Sequence, residues 1–368
     1  MRVPHNHPAF LSQRAFGPET PSSTAAAQRE ARPGLLAFKD GFESTASSPG
    51  AHLRTAASVG GIVDEVGEDL GEVKEKAVGF LRRLRGLSGT ASRPDLQHDG
   101  MMVGRWDQTF PVGTPLDQLP AVLPDTSTMS PRRVAQLEDP QAQKTILYVN
   151  GILTDLDDQG DEMQHIANET GSRVIGIHNS TEGAVRDIAE SANDKLALVR
   201  DLAGITSAES KGSNPAVDTL AATMYSELKA GRDVHVMGYS QGALITARAL
   251  RDVATRLRTE DGLPQDQVEQ LMSRINVETF GGAGAIFPDG PRYVHYINTK
   301  DVVPMGFGLG NELSYPGRDA VVHKFQEGEW YEFRTTHDLD ESYLTHRVPF
   351  EDARNGEFHR PRAPRTHR

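Results

Sequence analysis

Gly238-Tyr239-Ser240-Gln241-Gly242 is the stretch of this chain whose residue types and spacing could do covalent chemistry. A serine hydroxyl becomes a nucleophile beside a base, and one way to present it is a sharp turn between a strand and a helix, where the neighbouring side chains must be minimal. Residues 233–238 (DVHVMG) read as that strand, with Val234, Val236 and Met237 apolar. Ala243, Leu244, Ala247 and Leu250 mark one face of a helix over 243–257. The alternative is an ordinary strand-to-helix turn with Ser240 as its N-cap.

A histidine that takes the serine proton needs an acid to orient it, and for a serine on such a turn the chain order is serine, acid, histidine. Residues 293–298 read as a strand, and Asp301 follows it in Thr299-Lys300-Asp301-Val302-Val303-Pro304. Asp289 precedes that strand and Asp319 lies well beyond it, so Asp301 is the better-placed acid; a turn residue capping a loop is its alternative reading. Of the later histidines, His323 lies in 320–325 (AVVHKF), which alternates like a strand. His337 follows the strand-like 330–333 and opens a helix-like 338–344, which favours it as the base, with His346 and His323 as alternatives.

The oxyanion of acyl transfer needs hydrogen-bond donors. One is expected at the backbone N–H of Gln241. The other is expected at Ile152, in the loop Asn150-Gly151-Ile152-Leu153, where glycine permits a close backbone approach. A plain turn at Asn150-Gly151 is the alternative. Residues 305–315, with Phe307 and Leu309 set between glycines, read as a flexible apolar segment beside the acid. Together with Tyr239 they are candidates for an acyl pocket or a lid.

Other chemistries find less support. Asp155-Leu156-Asp157-Asp158-Gln159-Gly160 is spaced like a calcium loop, but its twelfth position is Ile166 instead of a bidentate Glu. Gly281-Gly282-Ala283-Gly284 follows a strand, yet Ile286-Phe287-Pro288 comes next in place of a helix, unlike a dinucleotide loop. The chain has no cysteine, which excludes disulfides, thiolate zinc sites, iron–sulfur clusters and a thiol nucleophile. No metal or cofactor is expected. With 39 Lys+Arg against 51 Asp+Glu, the net charge of −12 argues against nucleic-acid binding. No apolar run reaches the roughly 18 residues of a membrane-spanning helix.

The elements that must hold these residues begin near residue 145. Strands at 145–150, 173–178, 233–238, 274–280 and 293–298 alternate with helices over 162–170, 184–202, 217–229 and 243–257. That alternation predicts an α/β fold with a mainly parallel sheet flanked by helices. Residues 1–60, rich in Pro, Ser, Ala, Gly and Arg, cannot bury enough surface to offset ordering and read as a disordered leader. Residues 61–87 read as an amphipathic helix: Ile62, Val66, Leu70 and Val73 recur at helical spacing, with acids near its start and arginines near its end. It is expected to pack on this chain or on a partner, with peripheral membrane contact as its other use. A loop-rich linker (88–140), the α/β domain (141–350) and a basic tail (351–368) complete the organisation. The first 22 residues lack the apolar core of a secretory signal, so the chain is expected in the cytoplasm or exported by a non-Sec route.

Asn150-Gly151, the 238–242 elbow, Thr279-Phe280-Gly281 and Asp301-Val302-Val303-Pro304 together resemble the α/β-hydrolase superfamily. The elbow is similar to that of cutinases, and the Thr-Phe-Gly and Asp-x-Val-Pro elements are similar to those of class 3 lipases. The resemblance covers roughly residues 144–345. It implies the α/β-hydrolase fold and a serine esterase or lipase working through an acyl-enzyme, with Ser240, Asp301 and His337 as the triad. Two features depart from the pattern: cutinases are disulfide-linked, and the usual His-Gly of the oxyanion loop is Asn-Gly here.

The expected activity is therefore hydrolysis of a carboxylic ester, with a lipid-like small-molecule substrate. Two other readings stand beside it. One is a non-catalytic interaction protein that binds a partner through the leader and the helix at 62–84. The other is a bacterial phospholipase effector delivered by a dedicated secretion machine.

Overall fold

The computed structural model describes residues 96–127, 129–138, 145–152, 154–180, 214–310, 314–329 and 332–358. The leader, the helix expected at 61–87, the helix expected over 184–202 and the tail beyond 358 lie outside those residues.

Eight strands form one sheet: β1 (Met102–Val103), β2 (Thr109–Phe110), β3 (Thr145–Val149), β4 (Arg173–Ile177), β5 (Val234–Tyr239), β6 (Ile275–Phe280), β7 (Arg292–Asn298) and β8 (Val321–Phe325). Their order is β2-β1-β4-β3-β5-β6-β7-β8. Strands β3 to β8 all pair in parallel, and β1 runs antiparallel to both β2 and β4. The architecture is α/β with a mixed, mostly parallel sheet.

The strands are apolar on both faces because helices cover both. Leu147 and Val149 of β3 join Val236, Ile275 and Val277 in one core cluster, while Ile146 and Tyr148 join Met237, Phe280 and Tyr296 in the other. Period-two alternation divides each strand between the two clusters. The helices are α1 (Pro131–Glu138), α2 (Leu156–Thr170), α3 (Pro215–Lys229), α4 (Gln241–Thr259), α5 (Gln265–Met272), α6 (Val302–Gly306), α7 (Phe333–Thr336) and α8 (Phe350–Arg354). Helices α3, α4 and α5 bury Leu220, Leu250 and Val268 in the first cluster. Helix α2 buries Met163 and Ile166 in the second, with the 339–353 segment beside it.

Local chemistry sets the helix ends. Asp155 caps α2 by accepting from Asp158 N–H, and Gly171 closes that helix at φ 63°. Asn214 caps α3, with Pro215 in its first turn. Among the described residues, no helix is long and apolar enough to cross a membrane.

Some elements differ from the sequence reading. Residues 88–140, read as linker, contain β1 and β2, which extend the sheet at one edge. These strands are two residues long, too short to show alternation. Helix α5 was not read. Phe333, expected to end a strand, instead opens α7, where the Glu332 carbonyl accepts from the N–H groups of Thr335 and Thr336.

The strand order places a candidate crevice. From β3 the chain passes to β4 on one side, whereas β5 lies on the other side of β3. Carboxyl ends of strands on either side of such a switch leave room for a ligand. Val149 of β3 stands opposite Gly238 of β5, and Tyr239 opposite Phe280 of β6, so the loops after β3 and β6 flank Ser240.

Candidate active site

Ser240 joins β5 to α4 with φ 54° and ψ −120°, a conformation that side-chain-bearing residues rarely adopt. The turn is held by the end of β6 and the loop after it: Ser240 N–H donates to the Phe280 carbonyl at 3.0 Å, and the Ser240 carbonyl accepts from Ala283 N–H at 3.0 Å. The flanking glycines are required by contact. A Cβ on Gly242 would lie 2.1 Å from the Val149 carbonyl oxygen, and one on Gly238 would lie 2.8 Å from the Gly242 carbonyl oxygen. Ser240 makes no side-chain cap to α4, so the N-cap alternative fails.

Its hydroxyl instead donates to His337 Nε2 at 2.9 Å. On the other side of the ring, His337 Nδ1–H donates to Asp301 Oδ2 at 2.5 Å. Ser240 is 4% exposed, His337 7% and Asp301 0%, so this chain of hydrogen bonds runs through a largely dry interior. Asp301 also does what its alternative reading required: Oδ1 accepts from Val303 N–H at 2.9 Å and caps α6. Capping fixes the carboxylate and leaves Oδ2 for the histidine.

The other candidates have different surroundings. His346 Nε2–H donates to Glu327 at 2.9 Å, and its ring stacks on Phe325. His323 stacks on Phe358 with ring centroids 3.9 Å apart. Asp289 accepts from the Tyr315 hydroxyl and from Arg318, and Asp319 occupies a turn at φ 56°.

The ring of His337 is positioned by two tyrosines. Tyr239 stacks on it with centroids 5.1 Å apart and donates its hydroxyl to the His337 carbonyl. Tyr343, from the π-helical turn Leu339–Leu344, donates its hydroxyl to Asp301 Oδ2 at 2.5 Å. Burial first, and then the Asp301 charge, push the Tyr343 hydroxyl well above the ordinary tyrosine range, so it remains a donor. Farther along, Arg347 holds this segment to the sheet through two bonds of 2.9 Å to the buried carboxylate of Glu278 on β6, which His235 also contacts at 2.8 Å. Burial alone would raise the Glu278 carboxyl; the Arg347 charge and the hydrogen bond to His235 outweigh it and hold the group below the usual carboxylate range.

The loop after β3 comes close to the serine. A Cβ on Gly151 would lie 3.0 Å from Ser240 Cβ and 3.4 Å from the Tyr239 ring. Gln241 opens the 19-residue α4, whose N-terminal amides point their dipoles toward the position beside Ser240. Ile152, half-buried, belongs to the loop after β3. Asn150 is fully buried and bonded to Asn179, a residue the sequence reading did not single out.

Within the segment expected to be a flexible loop, residues 305–310 fold back on α6. Phe307 N–H donates to the Val303 carbonyl, and the N–H groups of Gly308 and Gly310 both donate to the Pro304 carbonyl. That tight turn buries Phe307 and Leu309, and Leu309 joins the first core cluster. Val302 and Met305 are the apolar side chains of α6 that reach solvent, at 39% and 38% exposure. Among the described residues, no group of three or more His, Asp or Glu is arranged to hold a metal ion.

Arranged this way, the three side chains can move a proton from a serine hydroxyl to an imidazole whose far nitrogen is held by a carboxylate. No protein-family model matches the chain, and no curated protein or solved structure matches it.

Proposed function

We propose that the protein is a serine hydrolase of the α/β-hydrolase superfamily that cleaves carboxylic esters through an acyl-enzyme on Ser240. The observation that carries this reading is the continuous hydrogen-bonded series Ser240–His337–Asp301, with the serine on a strained turn at the carboxyl end of β5. Backbone strain at a residue whose side chain also contacts a buried histidine–carboxylate pair is hard to attribute to folding alone.

In the first step His337 Nε2 takes the Ser240 proton while Oγ attacks the ester carbonyl. Asp301 stabilises the imidazolium and does not itself become protonated. The backbone N–H groups of Gln241 and Ile152 are assigned to the oxyanion. Collapse of the intermediate breaks the ester bond, and the imidazolium proton leaves with the alcohol. Water then repeats the sequence on the acyl-enzyme, giving the acid and restoring Ser240. A lipid-like acyl group suits the solvent-facing Val302 and Met305, which follow the acid directly on α6.

The test is covalent labelling by a fluorophosphonate, with the adduct located by mass spectrometry. Wild-type protein is expected to be labelled on Ser240, and both Ser240→Ala and His337→Ala to lose the label. A folded wild-type protein that takes up no label would reject the proposal.

A further inference from the structure

Behind the elbow, the ends of β3 and β4 and the start of α4 are joined by three carboxamides. Asn150 follows β3, Asn179 follows β4 and Gln241 opens α4; each is at most 1% exposed. Asn179 N–H donates to Asn150 Oδ1 at 2.8 Å, and Asn150 Nδ2 donates back to the Asn179 carbonyl at 3.1 Å. A second hydrogen on Asn150 Nδ2 goes to the Gly151 carbonyl at 3.0 Å. From the same knot, Asn179 Nδ2 donates to Gln241 Oε1 at 3.0 Å.

Burying carboxamides costs stability unless each finds partners, and apolar side chains would fill the space without that penalty. What the amides add is direction, because donors and acceptors must meet in one fixed arrangement. The loop and the helix start that are joined here carry the Ile152 and Gln241 N–H groups. Those two amides belong to separate elements and must converge on one oxygen. A displacement of about 1 Å at such a site can cost about 100-fold in rate.

We propose that Asn179 is a positioning residue that sets the spacing of the two oxyanion donors by clamping Gln241 and the Asn150-Gly151 turn to the end of β4. Its hydrogen bonds go to Asn150, Gly151 and Gln241 and none goes to Ser240, and the inference rests on the serine-hydrolase reading above.

The test uses p-nitrophenyl butyrate as substrate and butylboronic acid, which forms a tetrahedral anion on a reactive serine. Wild-type protein is compared with Asn179→Ala, Gln241→Met and the double variant; the methionine keeps the backbone N–H and removes the side-chain acceptor. Thermal unfolding establishes that each variant is folded. Asn179→Ala is expected to lower kcat by about 10- to 100-fold, with KM within about threefold of wild type. Boronate affinity should weaken in parallel with kcat. Gln241→Met should behave alike, and the double variant should be no worse than the poorer single one. A folded Asn179→Ala protein with unchanged kcat, or one that loses kcat but keeps its boronate affinity, would overturn the proposal, as would losses that multiply in the double variant. If Asn179→Ala does not fold, an unchanged kcat in Gln241→Met overturns it, and the expected loss supports it. Wild-type protein that neither hydrolyses the ester nor reacts with a fluorophosphonate rejects the hydrolase reading and this inference with it; an active wild type with an indifferent Asn179→Ala rejects this inference alone.

Discussion

Tyr343 donates its hydroxyl to Oδ2 of Asp301, the same oxygen that accepts from His337 Nδ1. Both bonds are 2.5 Å long, and the other carboxylate oxygen is taken up by the cap of α6. The acid is thus held by donors from three directions and cannot rotate without breaking one of them.

Tyr343→Phe keeps the ring in place and removes one donor. Asp301 then keeps only the His337 and Val303 donors and is held less rigidly. Under the proposed reading, kcat on an ester substrate is expected to fall by about 10-fold, with KM within about threefold of wild type. An unchanged kcat in a folded variant would show that the Tyr343 hydroxyl does not help to hold the acid.

Two glycines should respond in opposite ways to alanine. At Gly242 the new methyl would meet the Val149 carbonyl oxygen at 2.1 Å, and neither backbone can yield. Gly242→Ala is expected to cost more than about 3 kcal/mol or to prevent folding. At Gly306, the end of α6, nothing lies within 4 Å and the backbone is unstrained, so alanine should stabilise by about 0.4–1 kcal/mol. Urea unfolding compares the two; similar midpoints would contradict the geometry of the elbow.

The Glu278–Arg347 pair should be costly to break and cheap to replace. Arg347→Met leaves a buried carboxylate with only His235 and is expected to destabilise by about 3–5 kcal/mol. Adding Glu278→Leu to Arg347→Met should recover much of that loss, since the uncompensated charge is gone. A double variant less stable than Arg347→Met alone would refute this account.

His295 on β7 should make stability depend on pH. Burial holds its imidazole down to about 4, with Nε2–H donating to the Pro316 carbonyl and Nδ1 accepting from Thr279. The unfolded chain binds this proton from about pH 6.5 downward, whereas the folded chain resists it. Stability is therefore full above pH 6.5, falls as pH drops towards 4, and levels off below. The contribution is on the order of 3 kcal/mol. Urea midpoints from pH 7 to pH 4 should show a shallower decline in His295→Gln than in wild type; identical slopes would exclude a neutral buried His295.

Much of the sheet was legible because burial on both faces leaves continuous apolar runs, as in β3 and β5. The elbow was legible because its glycines answer to close contacts that recur wherever a serine sits on such a turn. The order in which Ser240, Asp301 and His337 occur followed from the same motif. The residues that hold them were not legible. Tyr343 reaches Asp301 across 42 positions and Asn179 reaches Gln241 across 62, and neither bond leaves a local pattern of polarity or spacing. Phe307 and Leu309 were read as part of a flexible pocket or lid because glycines surround them; those glycines let the turn fold back and bury both. Phe333 was misread because an aromatic-rich run suits a strand as well as the turn of helix that it opens.

Ser240 precedes its imidazole partner by 97 positions, and His337, Tyr343 and Arg347 all come from the last segment described. A ribosome adding about 5–20 residues per second makes the elbow roughly 5 to 20 seconds before the histidine. Under the proposed reading, a half-made chain carries a serine with no base, inert towards the esters around it. Stalled chains that end before His337 should therefore take up no fluorophosphonate. Reactivity would arrive only once the segment that carries His337 has been made and has packed against the elbow.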